Sequence, residues 1–169
     1  MGNKQISERI NDRNSREHIR YRYSAKDWES EIKYYEREML DSIMQKLFDK
    51  DIEFSEERQS EIELTMRELL INSVAACKER ADLFIDLDVY YSDTELLMRV
   101  VDDGPGFNHR EKIRERRETF KYMGIREFLE VLGTSHDYKN GVGLYCLIHY
   151  TKDFKFNEKG NEVTARFKF

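Results

Sequence analysis

In residues 95–102, Leu96, Met98, Val100 and Asp102 fall on one face of a strand read from strict alternation, so a carboxylate ends an otherwise apolar row. The preceding segment, 83–91, alternates in the same way. Leu83, Ile85, Leu87 and Val89 occupy one face, and Phe84, Asp86, Asp88 and Tyr90 the other. Ser92, Asp93 and Thr94 make a turn between the two strands. After them comes Asp102-Asp103-Gly104-Pro105-Gly106-Phe107, whose glycines let the backbone turn sharply and approach another group closely. A chain built this way must pack one sheet face on an apolar layer and still find a partner for the Asp102 carboxylate.

The rest of the chain supplies that layer. Residues 18–24 alternate Ile19, Tyr21 and Tyr23 with Arg20 and Arg22, a further strand. Residues 27–49 carry Ile32, Tyr35, Met39, Ile43 and Leu47 at helical spacing behind Asp27, a candidate N-cap. A second helix starts after Ser55, with Glu56 and Glu57 in its first turn, and runs to about residue 78. Ile62, Met66, Leu69, Leu70 and Cys77 form its buried stripe. A charged stretch, 108–140, holds a helical pattern near 110–131. A short helix starts near Gly141, with Leu144, Leu147, Ile148 and Thr151 on one face. The C-terminal hairpin runs from Phe154 and Phe156, through a turn at Glu158-Lys159-Gly160, to Val163, Ala165, Phe167 and Phe169. This order predicts an α+β two-layer sandwich, a mostly antiparallel sheet with helices on one face. Residues 1–17 read as a polar arm and 18–169 as one domain.

Three short motifs carry chemistry. Glu68 and Asn72, four apart on the second helix, share a face with Thr65 and Ala76. A carboxylate and a carboxamide projected together can polarise a water or hydroxyl and hold a hard cation through oxygen, although the pair alone reads first as a solvated polar stripe. Asp102 and its glycine turn form the second motif; the amino group of an adenine, with water, would satisfy the carboxylate. The third is Asn140-Gly141-Val142-Gly143-Leu144, where free amide N–H groups and the helix dipole favour an anion such as phosphate. It is not a Walker loop, because no Gly-Lys-Ser/Thr follows, nor a dinucleotide fingerprint, because no strand precedes it.

In order, element type and spacing, the three motifs resemble the N, G1 and G2 boxes of the histidine-kinase-like ATPases, which share the Bergerat fold. The resemblance covers nearly the whole chain. It implies Mg-ATP as ligand, with Asn72 as the Mg2+ ligand and Asp102 as the adenine-binding aspartate. It also implies that Gly104 and Gly106 line the nucleotide and that Gly141, Val142, Gly143 and Leu144 meet its phosphates. Residues 108–140 would be the ATP lid. Within the superfamily the chain is most similar to the stand-alone anti-sigma-factor serine/threonine kinases, and that likeness implies Glu68 as catalytic base. It implies as partners an anti-sigma-antagonist-type protein and a sigma factor; a homodimer is compatible with it. Ser73 and Ala76 depart from the family pattern, in which Ala follows the asparagine and His stands four residues beyond it. Gly160-Asn161-Glu162-Val163-Thr164 departs from the family's Gly-Thr-Thr and leaves the adenine contact of that strand in question. The alternatives are a nucleotide-dependent binding module without phosphoryl transfer, or a detached sensor-kinase catalytic domain. His18, His109, His136 and His149 include no His-Glu or His-Asp pair on a long dimerising helix.

Composition excludes other classes. A formal net charge of −5 argues against non-specific nucleic-acid binding. No apolar run reaches the ~18–20 residues of a membrane span, and residues 1–18 contain no secretory apolar core, so a cytoplasmic location is expected. Cys77 and Cys146, far apart in apolar patterns, read as reduced core residues.

Overall fold

The computed structural model describes residues 17–24, 41, 42, 45, 55–77, 84–92, 94–124, 126, 127 and 141–168. The expected helix over 27–49 lies outside them, except that residues 41, 42 and 45 are helical. Five strands form one sheet: β1 (Glu17–Ser24), β2 (Phe84–Tyr91), β3 (Glu95–Asp102), β4 (Asp153–Phe156) and β5 (Glu162–Lys168). The spatial order is β1-β2-β3-β5-β4, and every neighbouring pair is antiparallel. Three helices complete the described fold: α1 (Glu56–Ala76), α2 (His109–Phe120) and α3 (Val142–Tyr150). This is the expected α+β sandwich. The first strand begins one residue before the expected boundary.

Alternation decides which sheet face is covered. Ile85, Leu87, Val89 and Tyr91 of β2, Leu96, Met98 and Val100 of β3, and Val163, Ala165 and Phe167 of β5 are all buried and belong to one core cluster. The register sets Asp102 opposite Ile85 and Met98 opposite both Val89 and Ala165. A slip of one residue would turn Asp102 to the other face. The other face carries ion pairs. Asp88 is fully buried and accepts from Arg99 Nη1 at 2.9 Å, while Arg99 Nε donates to Glu162 Oε1 at 2.8 Å. These two carboxylates raise the Arg99 pKa further, with Glu162 the larger influence. The ion pairs tie β2, β3 and β5 together behind the core.

α1 starts where Ser55 accepts from the Arg58 N–H at 3.2 Å, with Glu56 and Glu57 completing a favourable first turn. Its buried face contains Ile62, Met66, Leu69, Leu70 and Val74, and also Thr65 and Ser73. The polar stripe is therefore partly covered, and the reason is α3, which packs along α1. Thr65 tolerates burial because its hydroxyl donates to the Glu61 carbonyl at 2.7 Å. Arg58 locks the layers by donating to the Lys168 carbonyl at 2.8 Å and the Tyr150 carbonyl at 2.8 Å, main-chain acceptors at the ends of β5 and α3.

The spacing of α3 predicts one apolar face, yet Val142 through Leu147 are all buried. It is sandwiched by neighbours: α1 lies on one side, and Phe120 of α2 meets Tyr145 edge-on at 5.5 Å on the other. α2 is the first part of the expected lid. Asn108 caps it, accepting from the Glu111 N–H at 3.4 Å and donating to Glu111 Oε2 at 2.9 Å. Phe120 anchors its end. Residues 128–140 of the expected lid lie outside the described residues. Among the described residues no helix is long and apolar enough to cross a membrane. Cys77 and Cys146 are free thiols, both buried.

Candidate nucleotide-binding site

A cavity of about 380 Å³ opens between α1, α3 and the β3–β5 end of the sheet, within the range of small-molecule pockets, about 300–1,000 Å³. Leu69, Val100, Leu144, Leu147 and Val163 supply an apolar wall. Phe107 and Phe156, edge-to-face at 5.4 Å, supply an aromatic mouth, and His109 stacks on Phe156 at 5.1 Å. Asp102 is a carboxylate in this wall. Its Oδ1 accepts from the Gly104 N–H at 2.8 Å. Burial pushes its pKa above the ordinary carboxylate range; the Gly104 N–H, the Ser73 hydroxyl and nearby Lys159 oppose that shift only in part. A buried acceptor held this way favours a ligand that brings hydrogen-bond donors.

The turn after β3 is held by backbone packing against the β4–β5 turn. Gly106 has φ +74° and Gly160 φ +79°, conformations that L side chains rarely adopt. A Cβ on Gly106 would stand 2.1 Å from the Lys159 carbonyl oxygen, and one on Gly160 would stand 2.2 Å from that of Phe107. The two turns therefore interlock, each filling the space that the other's missing side chain leaves. Gly104 is not among the cavity-lining residues; its N–H holds Asp102, and a Cβ there would meet Asp102 Oδ1 at 2.7 Å and the Ala76 Cβ at 3.2 Å. Gly106 does line the cavity.

At the other end Asn72 and α3 meet. A Cβ on Gly143 would lie 2.6 Å from Asn72 Nδ2 and 3.8 Å from the Glu68 Cβ, so this glycine admits the Asn72 carboxamide to the first turn of α3. Gly141 caps that helix without a side-chain bond, and a helix start of this kind favours an anion. Gly143 and Leu144 line the cavity, whereas the buried Gly141 and Val142 do not. Glu68 is half-buried and also outside the cavity wall, one turn before Asn72. Its charge acts on Cys146, whose thiol is pushed up to about 12, chiefly by burial and then by Glu68.

Asn72, Asp102, Gly106, Gly143 and Leu144 thus converge on one cavity, while Glu68, Gly104, Gly141 and Val142 stand behind or beside it. Sequence reading did not place Ser73, Asn161 or Lys112 at the site, although all of them line the cavity. Ser73, noted only as a departure from the family pattern, reaches Asp102. Asn161, in the turn just before the strand whose contact was in question, donates to the Asp102 carbonyl and accepts from the Asp102 N–H at 2.9 Å through its own carbonyl. Lys112 brings a cation from α2 to the wall. Its helical position in the lid was legible, but not the face it presents.

A family model, the histidine kinase-like ATPase domain, matches residues 35–167. The chain belongs to this family. It is accordingly an ATP-binding, kinase-like module. No curated protein matches the chain. The cavity suits an ATPase-domain ligand: a buried carboxylate and apolar walls at one end suit a base, and the glycine-opened start of α3 beside Asn72 suits phosphates.

Proposed function

We propose that the protein is an ATP-dependent serine/threonine kinase of the anti-sigma-factor type, which regulates transcription by partner switching. The observation that carries this reading is the pairing of Glu68 with Asn72, one turn apart on α1 and both beside Gly143 at the start of α3. Asp102 receives the amino group of adenine. Gly143, Leu144 and the amides that open α3 face the phosphates. Asn72 would hold Mg2+ through its carboxamide oxygen, and the bound ion would supply charge neutralisation at the phosphates. Glu68 takes the proton of a substrate hydroxyl as its oxygen bonds to the γ-phosphorus; the bond from that phosphorus to the β–γ bridging oxygen breaks and ADP leaves. The substrate is a serine or threonine on a small antagonist protein, with a sigma factor as second partner.

One observation favours a second reading. Glu68 stands outside the cavity wall, which suits a nucleotide-dependent binding module that transfers nothing. A detached sensor-kinase domain would pass the phosphoryl group to a histidine on a separate chain. Incubation with labelled ATP and candidate antagonist domains separates the three. The kinase reading expects acid-stable label on the antagonist. Label on an acid-labile site of another chain overturns it in favour of the sensor-kinase domain, and ATP-dependent binding without label favours the switch.

A further inference from the structure

Two asparagines in the β4–β5 turn form a hydrogen-bonded chain that ends on Asp102. Asn157 Oδ1 accepts from the Gly160 N–H at 2.7 Å and from the Asn161 N–H at 3.2 Å. Two main-chain donors require an oxygen, so the backbone itself sets which way the Asn157 amide faces. Its Nδ2 is thereby aimed at Asn161 Oδ1, to which it donates at 2.9 Å. With its oxygen occupied, Asn161 turns its own Nδ2 to the Asp102 carbonyl. The Asp102 N–H donates back to the Asn161 carbonyl at 2.9 Å. Asn161 therefore grips Asp102 through both of its main-chain groups. Asn161 and Asp102 line the cavity, and Asn157 is not among the lining residues.

This grip matters for which base the cavity accepts. Adenine presents an amino donor at its six position, where guanine presents a carbonyl acceptor. A carboxylate held rigidly at that position attracts the first and repels the second. A carboxylate on a loosened main chain can shift and tolerate either. We propose that Asn161, oriented by Asn157, is the positioning residue that fixes Asp102 to select adenine over guanine nucleotides. The inference rests on Asp102 being the base-recognising group.

Calorimetric titration of the full chain with ATP and with GTP, each with magnesium, tests it in the wild type, Asn157→Asp and Asn161→Ala. Asn157→Asp keeps the oxygen that accepts from Gly160 and Asn161 but replaces the donor to Asn161 by a second acceptor. The turn is retained while the chain of bonds is cut. The preference for ATP over GTP should fall about tenfold in both variants, the worth of one ordinary hydrogen bond. Melting of Asn157→Asp should stay close to that of the wild type. If either folded variant loses ATP and GTP affinity equally, so that the ratio holds, the asparagines are structural only and the inference fails. If the wild type itself shows no preference for ATP, the assignment of Asp102 to the base fails first, a result distinct from the former.

Discussion

The two ends of the cavity are built on opposite principles. At the base end, the turns around Gly106 and Gly160 pack backbone on backbone, and Asp102 is held by Gly104, Ser73 and Asn161. At the phosphate end, one glycine opens space for a flexible carboxamide, and the start of α3 has no side-chain cap. The first end is finished by the fold. At the second, the start of α3 stands open beside the Asn72 carboxamide. A site can thus be rigid where it must discriminate and open where it must admit and release charge.

The largest expected effect is at the phosphate end and is functional rather than structural. Glu68→Ala should reduce phosphoryl transfer ~10²–10⁴-fold, the contribution of a positioned base, with ADP binding nearly intact. Full turnover in that variant would break the assignment of chemistry to this end.

The base end should respond through stability. Gly106→Ala forces a side chain into left-handed backbone and onto the Lys159 carbonyl. A loss of about 2–5 kcal/mol in denaturant unfolding is expected from strain and overpacking together. A near-neutral result would mean that the two turns do not interlock.

Asp102→Asn should weaken ATP binding by ~1–3 kcal/mol, because a donor then faces the adenine amino group. The pH dependence sharpens this. Burial raises the Asp102 pKa in the folded protein, so its stabilising contribution is present below the unfolded carboxylate pKa and is lost as pH rises through the folded value. Nucleotide-free stability should therefore fall, from this group, as pH rises through that window. ATP affinity should move the other way and drop as the pH is lowered through the same window, since the ionised form is the acceptor. Asp102→Asn should remove this group's part of both trends; two unchanged profiles would contradict the assignment.

The smallest stability effect belongs to Gly143→Ala. Its φ is not left-handed; the added Cβ crowds the end of the Asn72 side chain and meets the Glu68 Cβ at an ordinary contact distance. Alanine is the better helix former by about 1 kcal/mol, so unfolding should change by less than that. Mg-ATP affinity should nevertheless fall as the carboxamide is displaced. A melt shifted as far as that of Gly106→Ala would erase the contrast between the two ends.

Much of this was legible in the residues themselves. The alternation of 84–91 and 95–102, the Ser55 cap, the stripe from Ile62 to Cys77 and the apolar-facing Asp102 each depend on neighbours a few positions away, and each stands in the structure. Burial of Thr65 and Asp88 was not legible, because it depends on α3 and on the cross-strand Arg99. Ser73 and Asn161 offered no local signal of contact with Asp102, since neither lies near it in sequence.

The glycines mark the division most plainly. Local sequence determined that the chain turns after Asp102 and again before β5, because glycine is the residue that tolerates those backbone angles. Only the tertiary structure decided what each missing side chain makes room for: Gly143 for the Asn72 amide, Gly104 for Asp102 and Ala76, and Gly106 and Gly160 for each other's turn. Backbone angles are set by atoms within a residue or two, whereas the space around a Cα is set by whatever distant segment packs there.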